Sequence, residues 1–158
     1  MKDYTNVTAK FYNVLKSIVI IIIDVVCMME QNHPTFFIVF WAILKIGAIP
    51  AIINTNLSED PLLHCLFVAE SSLVLFDPMY ETQVATIATD AHEKGMRLAA
   101  YGEATEFDNT ITSNLGPALT PNVLSKYSDE DTDESLIRGV TLPDLGILMY
   151  TRYDMCII

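Results

Sequence analysis

The chain has 158 residues, enough for one domain with a sizeable core, and 51% of them are hydrophobic. Its formal net charge is −11 and its pI is near 4.4, which argues against nucleic acid as a partner because neutralising phosphates needs basic groups. The odd number of cysteines, three, argues against a disulfide framework and favours a reducing intracellular compartment.

The first part of the chain predicts a helix, a buried strand, a second helix and a second strand. Apolar residues surround almost the whole second helix, so we expect it to be deeply buried, with Trp41 in the core rather than in a ligand box. The longest apolar runs, residues 18–23 and 36–44, are far shorter than the ~20 residues that span a bilayer. The four elements are residues 10–16, residues 18–29, a helix from Pro34 to about Gly47, and residues 49–54.

The alternation continues through a third helix, in which Ser58 is the predicted N-cap and Glu59, Asp60 and Pro61 suit the first turn. Strict alternation of strands and helices predicts an α/β fold with a mostly parallel sheet and flanking helices. The remaining elements are a strand at 72–77, one helix at 80–95 and a strand at 96–102.

Residues 103–141 interrupt this alternation. They lack periodicity, contain Pro117 and Pro121, and carry the acidic run at 128–135, so they are predicted to form an irregular acidic linker. Periodicity returns at 142–151, which is predicted to be a final strand. No neighbouring strand is predicted for its outer edge. The predicted organisation is an α/β subdomain at 1–102, the linker at 103–141, and at 142–158 a strand with its continuation.

One acidic cluster has the spacing that begins a calcium loop. Asp129, Asp131 and Asp133 alternate, but Glu134 stands where the motif needs glycine and Val140 where it needs the last ligand. We therefore interpret the cluster as a solvated acidic segment.

A second pair, His64 and Cys65, is adjacent, so the two side chains point about 100° apart on a helix and do not converge on one ion. His33 and His92 belong to other segments, without metal-ligand spacing. We assign no metal site and no catalytic residue to this chain.

Four short pieces carry a resemblance: DVVC at 24–27, KIGA at 45–48, INTNL at 53–57 and LLHC at 62–65. Together, residues 24–78 resemble the adenylate-forming (AMP-dependent) acyl-CoA synthetases, and most of all the fatty-acid transport protein / very-long-chain acyl-CoA synthetase branch. KIGA alone fits any adenylate-forming enzyme, whereas INTNL with LLHC is typical of this branch. Residues 79–137 match weakly.

Residues 138–151 resume the resemblance, because the family reaches its ATP-phosphate loop through such a strand. There, SGTTG follows the dipeptide YT, and its small residues let backbone N–H groups wrap the phosphates. Tyr150 and Thr151 match, so the resemblance implies that they are an ATP-binding remnant of this loop. Arg152, Tyr153 and Asp154 do not match: the bulky side chains block close approach and the acid repels the triphosphate.

The resemblance therefore implies an N-terminal fragment of a very-long-chain fatty acid–CoA ligase, acting in fatty-acid uptake and lipid metabolism. The parent would use ATP, Mg²⁺ and CoA to convert a fatty acid to an acyl-adenylate and then to acyl-CoA. This chain is expected to bind none of these cofactors well and to be inactive alone. One hypothesis for the loss of the family pattern after Thr151 is a retained intron at that point.

The alternative is a non-catalytic interaction module or pseudoenzyme of the same family. Such a module would self-associate or dock on a full-length homologue. For location, the branch implies association with endoplasmic reticulum, peroxisome or lipid-droplet membranes, although this chain contains no predicted transmembrane segment.

Overall fold

The computed structural model describes residues 4–18, 24–103, 105, 108–130, 146–150 and 155–157. Its strands are β1 (Val25–Met29), β2 (Ile49–Ile52), β3 (Ser71–Phe76), β4 (Arg97–Ala100), β5 (Leu148–Tyr150) and β6 (Met155–Ile157). They form one sheet in the order β4-β3-β1-β2-β5-β6. Strands β1 to β5 are parallel, and β6 runs antiparallel to β5. The predicted α/β fold with a mostly parallel sheet is confirmed.

Helices cover both faces of the sheet, and the alternation of side chains along β1 shows how. Val26 and Met28 lie in one core with α1 and α2, whereas Cys27 and Met29 lie in the other core with α3, α4 and α5. The helices are α1 (Tyr4–Ile18), α2 (Pro34–Lys45), α3 (Glu59–Val68), α4 (Glu81–Ala85) and α5 (Ala88–Glu93), with a 3₁₀ turn at Pro78–Tyr80 and a short helix at Pro121–Leu124.

The first helix is longer than predicted and the first strand is shorter. Helix α1 extends to Ile18, which the sequence analysis placed in the strand, and residues 19–23 lie outside the described residues. Strand β1 begins only at Val25, where the parallel register with Ile49 of β2 also begins. The apolar residues of α1 that face the core, such as Phe11 and Leu15, recur at helical spacing.

Helix α2 has the predicted ends but not the predicted burial. It starts at Pro34, and the chain leaves it through Gly47, whose φ of +76° is readily adopted by glycine. Phe37 and Trp41 are each 59% exposed, so the expectation that Trp41 lies in the core is wrong. The helix packs on the sheet with one side and on α1 with another, which leaves a third apolar side uncovered.

The single helix predicted at 80–95 is broken into the 3₁₀ turn, α4 and α5. The break between the two α-helices lies at Thr86, whose hydroxyl donates a 2.6 Å hydrogen bond to the carbonyl of Gln83. A threonine side chain that bonds a nearby carbonyl competes with the helical backbone pattern. Ser58 occupies the N-cap position of α3 as predicted, although its side chain makes no capping hydrogen bond.

Part of the predicted linker packs against the sheet. The N–H of Ala100 donates to the carbonyl of Pro117 at 2.9 Å, and the N–H of Leu119 donates to the carbonyl of Ala100 at 3.0 Å. Leu119 and Leu124 are buried in the same core as α1. Residues 131–141 lie outside the described residues, and the division of the chain at residue 102 stays a prediction.

Strand β5 is paired on both sides, which corrects the expectation that its outer edge is open. Ala51 and Ile52 of β2 lie beside Leu148 and Met149 on one side. On the other side, Met149 lies opposite Cys156 in β6. Within the described ranges, no helix is both long and apolar enough to cross a membrane.

Candidate functional site

The carboxyl ends of β1 to β5 meet along one edge of the sheet, which we call the carboxyl edge. The chain leaves β1 for α2 on one face and leaves β2 for α3 on the opposite face. Where the loops after two neighbouring strands diverge in this way, a crevice opens, and open α/β sheets bind their ligands there. The carboxyl edge beside β1 is therefore the candidate functional site.

A buried hydroxyl organises the loop after β1. Thr35 is fully buried, and its Oγ1 donates a hydrogen bond to Oε1 of Glu30 and lies 3.1 Å from Nδ1 of His33. His33 is the N-cap of α2, and its Nδ1 accepts from the backbone N–H of Thr35 at 3.4 Å. A ring nitrogen that accepts carries no proton, so in the neutral ring the proton is on Nε2.

The same histidine reaches the loop after β4. Its Nε2 lies 3.5 Å from Oε1 of Glu103, whose side chain is 63% exposed. The His33 ring thus connects the start of α2 to the end of β4, across the end of the intervening β3.

Asp77, directly after β3, fixes the neighbouring loops. Its Oδ1 accepts from the N–H of Met79 at 2.9 Å, and its Oδ2 accepts from the N–H of Glu103 at 3.2 Å. A Cβ at Gly102 would overlap the Asp77 carboxylate, so glycine is required for this approach. With both oxygens accepting backbone N–H groups and the residue buried, Asp77 serves the structure of the edge rather than its chemistry.

The crevice between the loops after β1 and β2, which we call the polar cleft, has a volume of about 430 Å³. Its second wall is shaped by Asn54, whose Oδ1 accepts from the N–H of Asn56 at 3.0 Å, and by Thr55, whose carbonyl accepts from Gln83 at 3.0 Å. The lining residues are Glu30, Gln31, Asn32, Ile53, Asn54 and Thr55.

A second cleft of about 470 Å³, which we call the aromatic groove, runs between α1 and the first half of α2. Phe37 and Trp41 are four residues apart on α2 and therefore lie on one side of that helix. Asn32 lines this groove as well as the polar cleft. The lining residues are Thr8, Asn32, His33, Pro34, Phe37, Ile38 and Trp41.

The predicted ATP-binding remnant lies only partly within the described residues. Tyr150 is the last residue of β5, opposite Met155 of β6, and Thr151 and residues 152–154 lie outside the described ranges. In the sheet, Met149 lies beside Ile52, the residue before Ile53 of the polar cleft. The assignment of Tyr150 and Thr151 to ATP binding stays a prediction.

The other residues singled out in the sequence do not meet. His64 is exposed and Cys65 is half-buried on α3, and no group of three or more metal-ligating side chains occurs in the described part of the chain. Burial raises the pKa of the Cys27 thiol to about 12, which makes it a packing residue rather than a nucleophile. Asp129 is exposed, and Asp131 and Asp133 lie outside the described residues.

Sequence reasoning missed the network of Glu30, His33 and Thr35, and it missed both clefts. One signal was available: Glu30 directly follows a strand predicted to be buried and parallel, and polar residues at that position lie on the carboxyl edge. The hydrogen bond through Thr35 and the contact of His33 with Glu103 have no sequence signal, because they depend on how the loops fold back.

Comparison with known proteins places residues 9–151 in a match to the AMP-binding enzyme family. Among curated proteins, "Isopenicillin N epimerase component 1" of Hapsidospora chrysogena is 31% identical over 97 residues, which are 61% of this chain and 15% of that protein. "Long-chain fatty acid transport protein 1" of Rattus norvegicus is 24% identical over 140 residues, which are 82% of this chain and 21% of that protein.

Solved structures share the fold. An acyl-CoA synthetase of Brucella canis superposes with a TM-score of 0.74 over 99% of this chain and 26% of its own, at 17% identity. ATP-bound MatB of Rhodopseudomonas palustris superposes with a TM-score of 0.63 over 82% of this chain and 23% of its own, also at 17% identity. The chain spans about a quarter or less of the length of these relatives.

Proposed function

The chain belongs to the AMP-binding enzyme family, and from this we infer that it corresponds to the N-terminal part of a fatty acid–CoA ligase for very long acyl chains. The whole enzyme would activate a fatty acid with ATP to an acyl-adenylate and pass the acyl group to CoA. The similarity over 82% of the chain to a protein named for long-chain fatty acid transport supports this substrate class.

One observation carries the inference that this chain catalyses neither step. The family match includes Tyr150 and Thr151 and stops at residue 151. The next residues, Arg152 to Asp154, replace the small residues with which the family encloses ATP phosphates. Two bulky side chains and a carboxylate oppose the close approach of a triphosphate to the backbone.

For the whole enzyme we propose ATP with Mg²⁺ as the activating cofactor and CoA as the acyl acceptor. In this chain, the strand that leads to the phosphate loop ends at the carboxyl edge, beside the polar cleft. An intracellular membrane surface, of the endoplasmic reticulum, peroxisomes or lipid droplets, is the proposed location, because long acyl chains partition there.

Fatty-acid-dependent exchange between ATP and pyrophosphate tests the proposed inactivity, because it reports adenylation alone. The purified chain is expected to give no exchange above a blank without protein. ATP binding, measured by equilibrium dialysis, is expected to be absent in the natural chain and detectable when the loop residues are restored. The restored variant carries Arg152→Ser, Tyr153→Gly, Asp154→Thr, Met155→Thr and Cys156→Gly.

Exchange clearly above the blank in the natural chain would overturn the proposed inactivity. If the restored variant binds ATP no better than the natural chain, the disrupted loop is not the reason for the loss. A matched control with the conservative changes Arg152→Lys and Tyr153→Phe keeps the bulk and is expected to leave ATP unbound.

The pairing of β5 with β6 favours a second function. Met155 and Cys156, at positions where the family has loop residues, instead pair with Tyr150 and Met149 in the sheet. Residues that pair in the sheet are not available to form a phosphate loop, but they add a strand to the edge of the domain. We therefore keep, as the second candidate, a non-catalytic interaction module or pseudoenzyme that docks on a full-length homologue.

The two candidates differ in the polypeptide that cells make. An antibody against residues 24–78 is expected to detect a species several times heavier than 17.7 kDa if the chain is part of a ligase. A species at 17.7 kDa, which shifts a purified full-length homologue to higher mass in light scattering, would support the module instead.

A further inference from the structure

The side of helix α2 that faces solvent is apolar. The exposed residues of this helix are Pro34, Phe37 and Trp41, and none of them carries a charge or a polar side chain. A surface helix ordinarily places polar side chains on the side that faces water, and a helix that is apolar all round is covered by protein or lipid. Phe37 and Trp41 are each 59% exposed, so this side is expected to have an apolar partner.

The three exposed residues form one continuous surface, which we call the α2 face. Their spacing of three and four residues places them on the same side of the helix, and all three line the aromatic groove. The exposed rings also rest on half-buried ones. Phe36 contacts Phe37 edge-on with the ring centroids 5.5 Å apart, and Phe40 contacts Trp41 in the same way at 5.8 Å. The α2 face is therefore a supported aromatic surface rather than two isolated side chains.

The area of the α2 face argues against a second copy of the chain as its partner. An aromatic side chain offers about 150–250 Å², so two rings at 59% exposure offer about 200–300 Å² together. A stable protein interface needs about 800 Å² from each partner. A lipid surface, in contrast, surrounds each ring that enters it, and Trp and Phe are typical of helices that lie in a membrane interface.

Length and charge specify the kind of lipid surface. Helix α2 has 12 residues and is about 18 Å long, so it can lie on a bilayer but cannot cross a core about 30 Å thick. The formal net charge of the chain is −11, and the acidic run at 128–135 begins beside α1, where the amide of Asn13 donates to the carbonyl of Ser128 at 2.8 Å. Because anionic lipids attract basic segments, they do not favour this chain.

We propose that the α2 face docks this chain on a zwitterionic phospholipid surface, with the rings of Phe37 and Trp41 inserted at the level of the upper acyl chains. The proposal rests on the membrane location proposed above and adds the residues that make the contact. Docking needs neither ATP nor a fatty acid, so it is tested without them. Its failure would therefore not bear on adenylation, and absence of adenylation would not bear on docking.

Phosphatidylcholine vesicles titrated into the full 158-residue chain test the proposal, because Trp41 is the only tryptophan and reports its own surroundings. The expected result is a saturable blue shift of the emission, since lipid excludes water from the exposed indole. Phosphatidylcholine that is brominated near the top of its acyl chains is expected to quench this emission. Vesicles that also contain phosphatidylserine are expected to bind the chain no more tightly.

A matched pair of variants tests whether the α2 face makes the contact. Phe37→Ala removes an exposed ring and is expected to lower the partition coefficient, measured by vesicle flotation, about tenfold. Met79→Ala removes a side chain that is 60% exposed on the turn after β3 and is expected to leave partitioning unchanged. Far-ultraviolet circular dichroism is expected to be the same for both variants and the natural chain, because neither residue is buried.

Four outcomes would overturn the proposal. One is the absence of a shift at saturating phosphatidylcholine, and another is binding that requires phosphatidylserine. Equal losses in Phe37→Ala and Met79→Ala would show that the contact is not made by the α2 face. A blue shift that appears without lipid as the protein concentration rises, and that Phe37→Ala abolishes, would show that a second copy covers this face instead.

Discussion

The buried hydroxyl of Thr35 contacts two other side chains at the carboxyl edge. Its side chain is fully buried, donates to Glu30 and contacts the ring of His33. Replacing Thr35 by valine keeps the shape but removes the donor, so the Glu30 carboxylate loses a hydrogen bond of the kind that stabilises charged groups. We expect Thr35→Val to lower the free energy of unfolding by about 2 kcal/mol.

Urea unfolding followed by far-ultraviolet circular dichroism, at one fixed protein concentration, measures this change. Thr35→Ser is the matched control, because it keeps the hydroxyl and removes only a methyl group. Equal losses in the two variants would show that packing around the methyl group, rather than the hydrogen bond, stabilises the loop.

The buried thiol of Cys27 predicts how the free energy of unfolding changes at alkaline pH. Burial raises the pKa of its thiol from 9.0 to about 12, so in the folded chain the thiol keeps a proton that the unfolded chain releases. Its contribution to stability is fully present below pH 9.0 and is lost as the pH rises from there toward 12. Between pH 8 and 10, the free energy of unfolding is therefore expected to fall more steeply in the natural chain than in Cys27→Ala. Parallel slopes would contradict this assignment.

At the level of single elements, the end of α3 is strained at one residue. Glu70 has a φ of +52° and directly follows Ala69, the C-cap of the helix. This is the position where glycine is preferred, because a Cβ disfavours the left-handed conformation. Glu70 is exposed, so we expect Glu70→Gly to raise the free energy of unfolding by about 0.5–1 kcal/mol.

His64→Gly is the control for this change, because His64 is exposed on the same helix but lies within it. There, glycine is expected to lower the free energy of unfolding by about 1 kcal/mol relative to alanine at the same position. Thermal unfolding of Glu70→Gly, His64→Gly and His64→Ala gives the comparison. A loss of stability in Glu70→Gly would show that the glutamate side chain contributes more than its backbone strain removes.

For the whole molecule, the order of the strands predicts self-association. Strand β6 ends the sheet, and no described strand lies beyond it, whereas residues 117–119 cover part of the outer edge of β4. An open edge pairs readily with another chain. We expect sedimentation at tens of micromolar to show species heavier than the 17.7 kDa monomer.

Ile157→Lys places a charge on this edge and is expected to shift the chain toward the monomer. Thr89→Lys adds the same charge on the exposed surface of α5 and is expected to leave association unchanged. A natural chain that sediments as a single monomeric species at every concentration would contradict the prediction.

The order of the first three helices and the five parallel strands could be read from the sequence because alternation and β-branched runs are local signals, whereas β6 and the short helix at Pro121–Leu124 were not predicted. The exposure of Trp41 could not, since it depends on which sides of α2 meet the sheet and α1. The break at Thr86 depends on one side-chain hydrogen bond that competes with a regular helix. At the site, the family pattern indicated Tyr150 and Thr151, whereas the polar cleft arises from loops that diverge to opposite faces of the sheet.

The position of β5 in the sheet has a consequence for synthesis on the ribosome. Strands β1 to β4 are complete once Ala100 has been made, but the partner on the free side of β2 begins only at Leu148. At the usual rates of translation, these 47 intervening residues take about 2 to 10 s to add. During that interval, the edge of β2 is open in every nascent chain, so a chaperone that shields strands would act on residues 49–52.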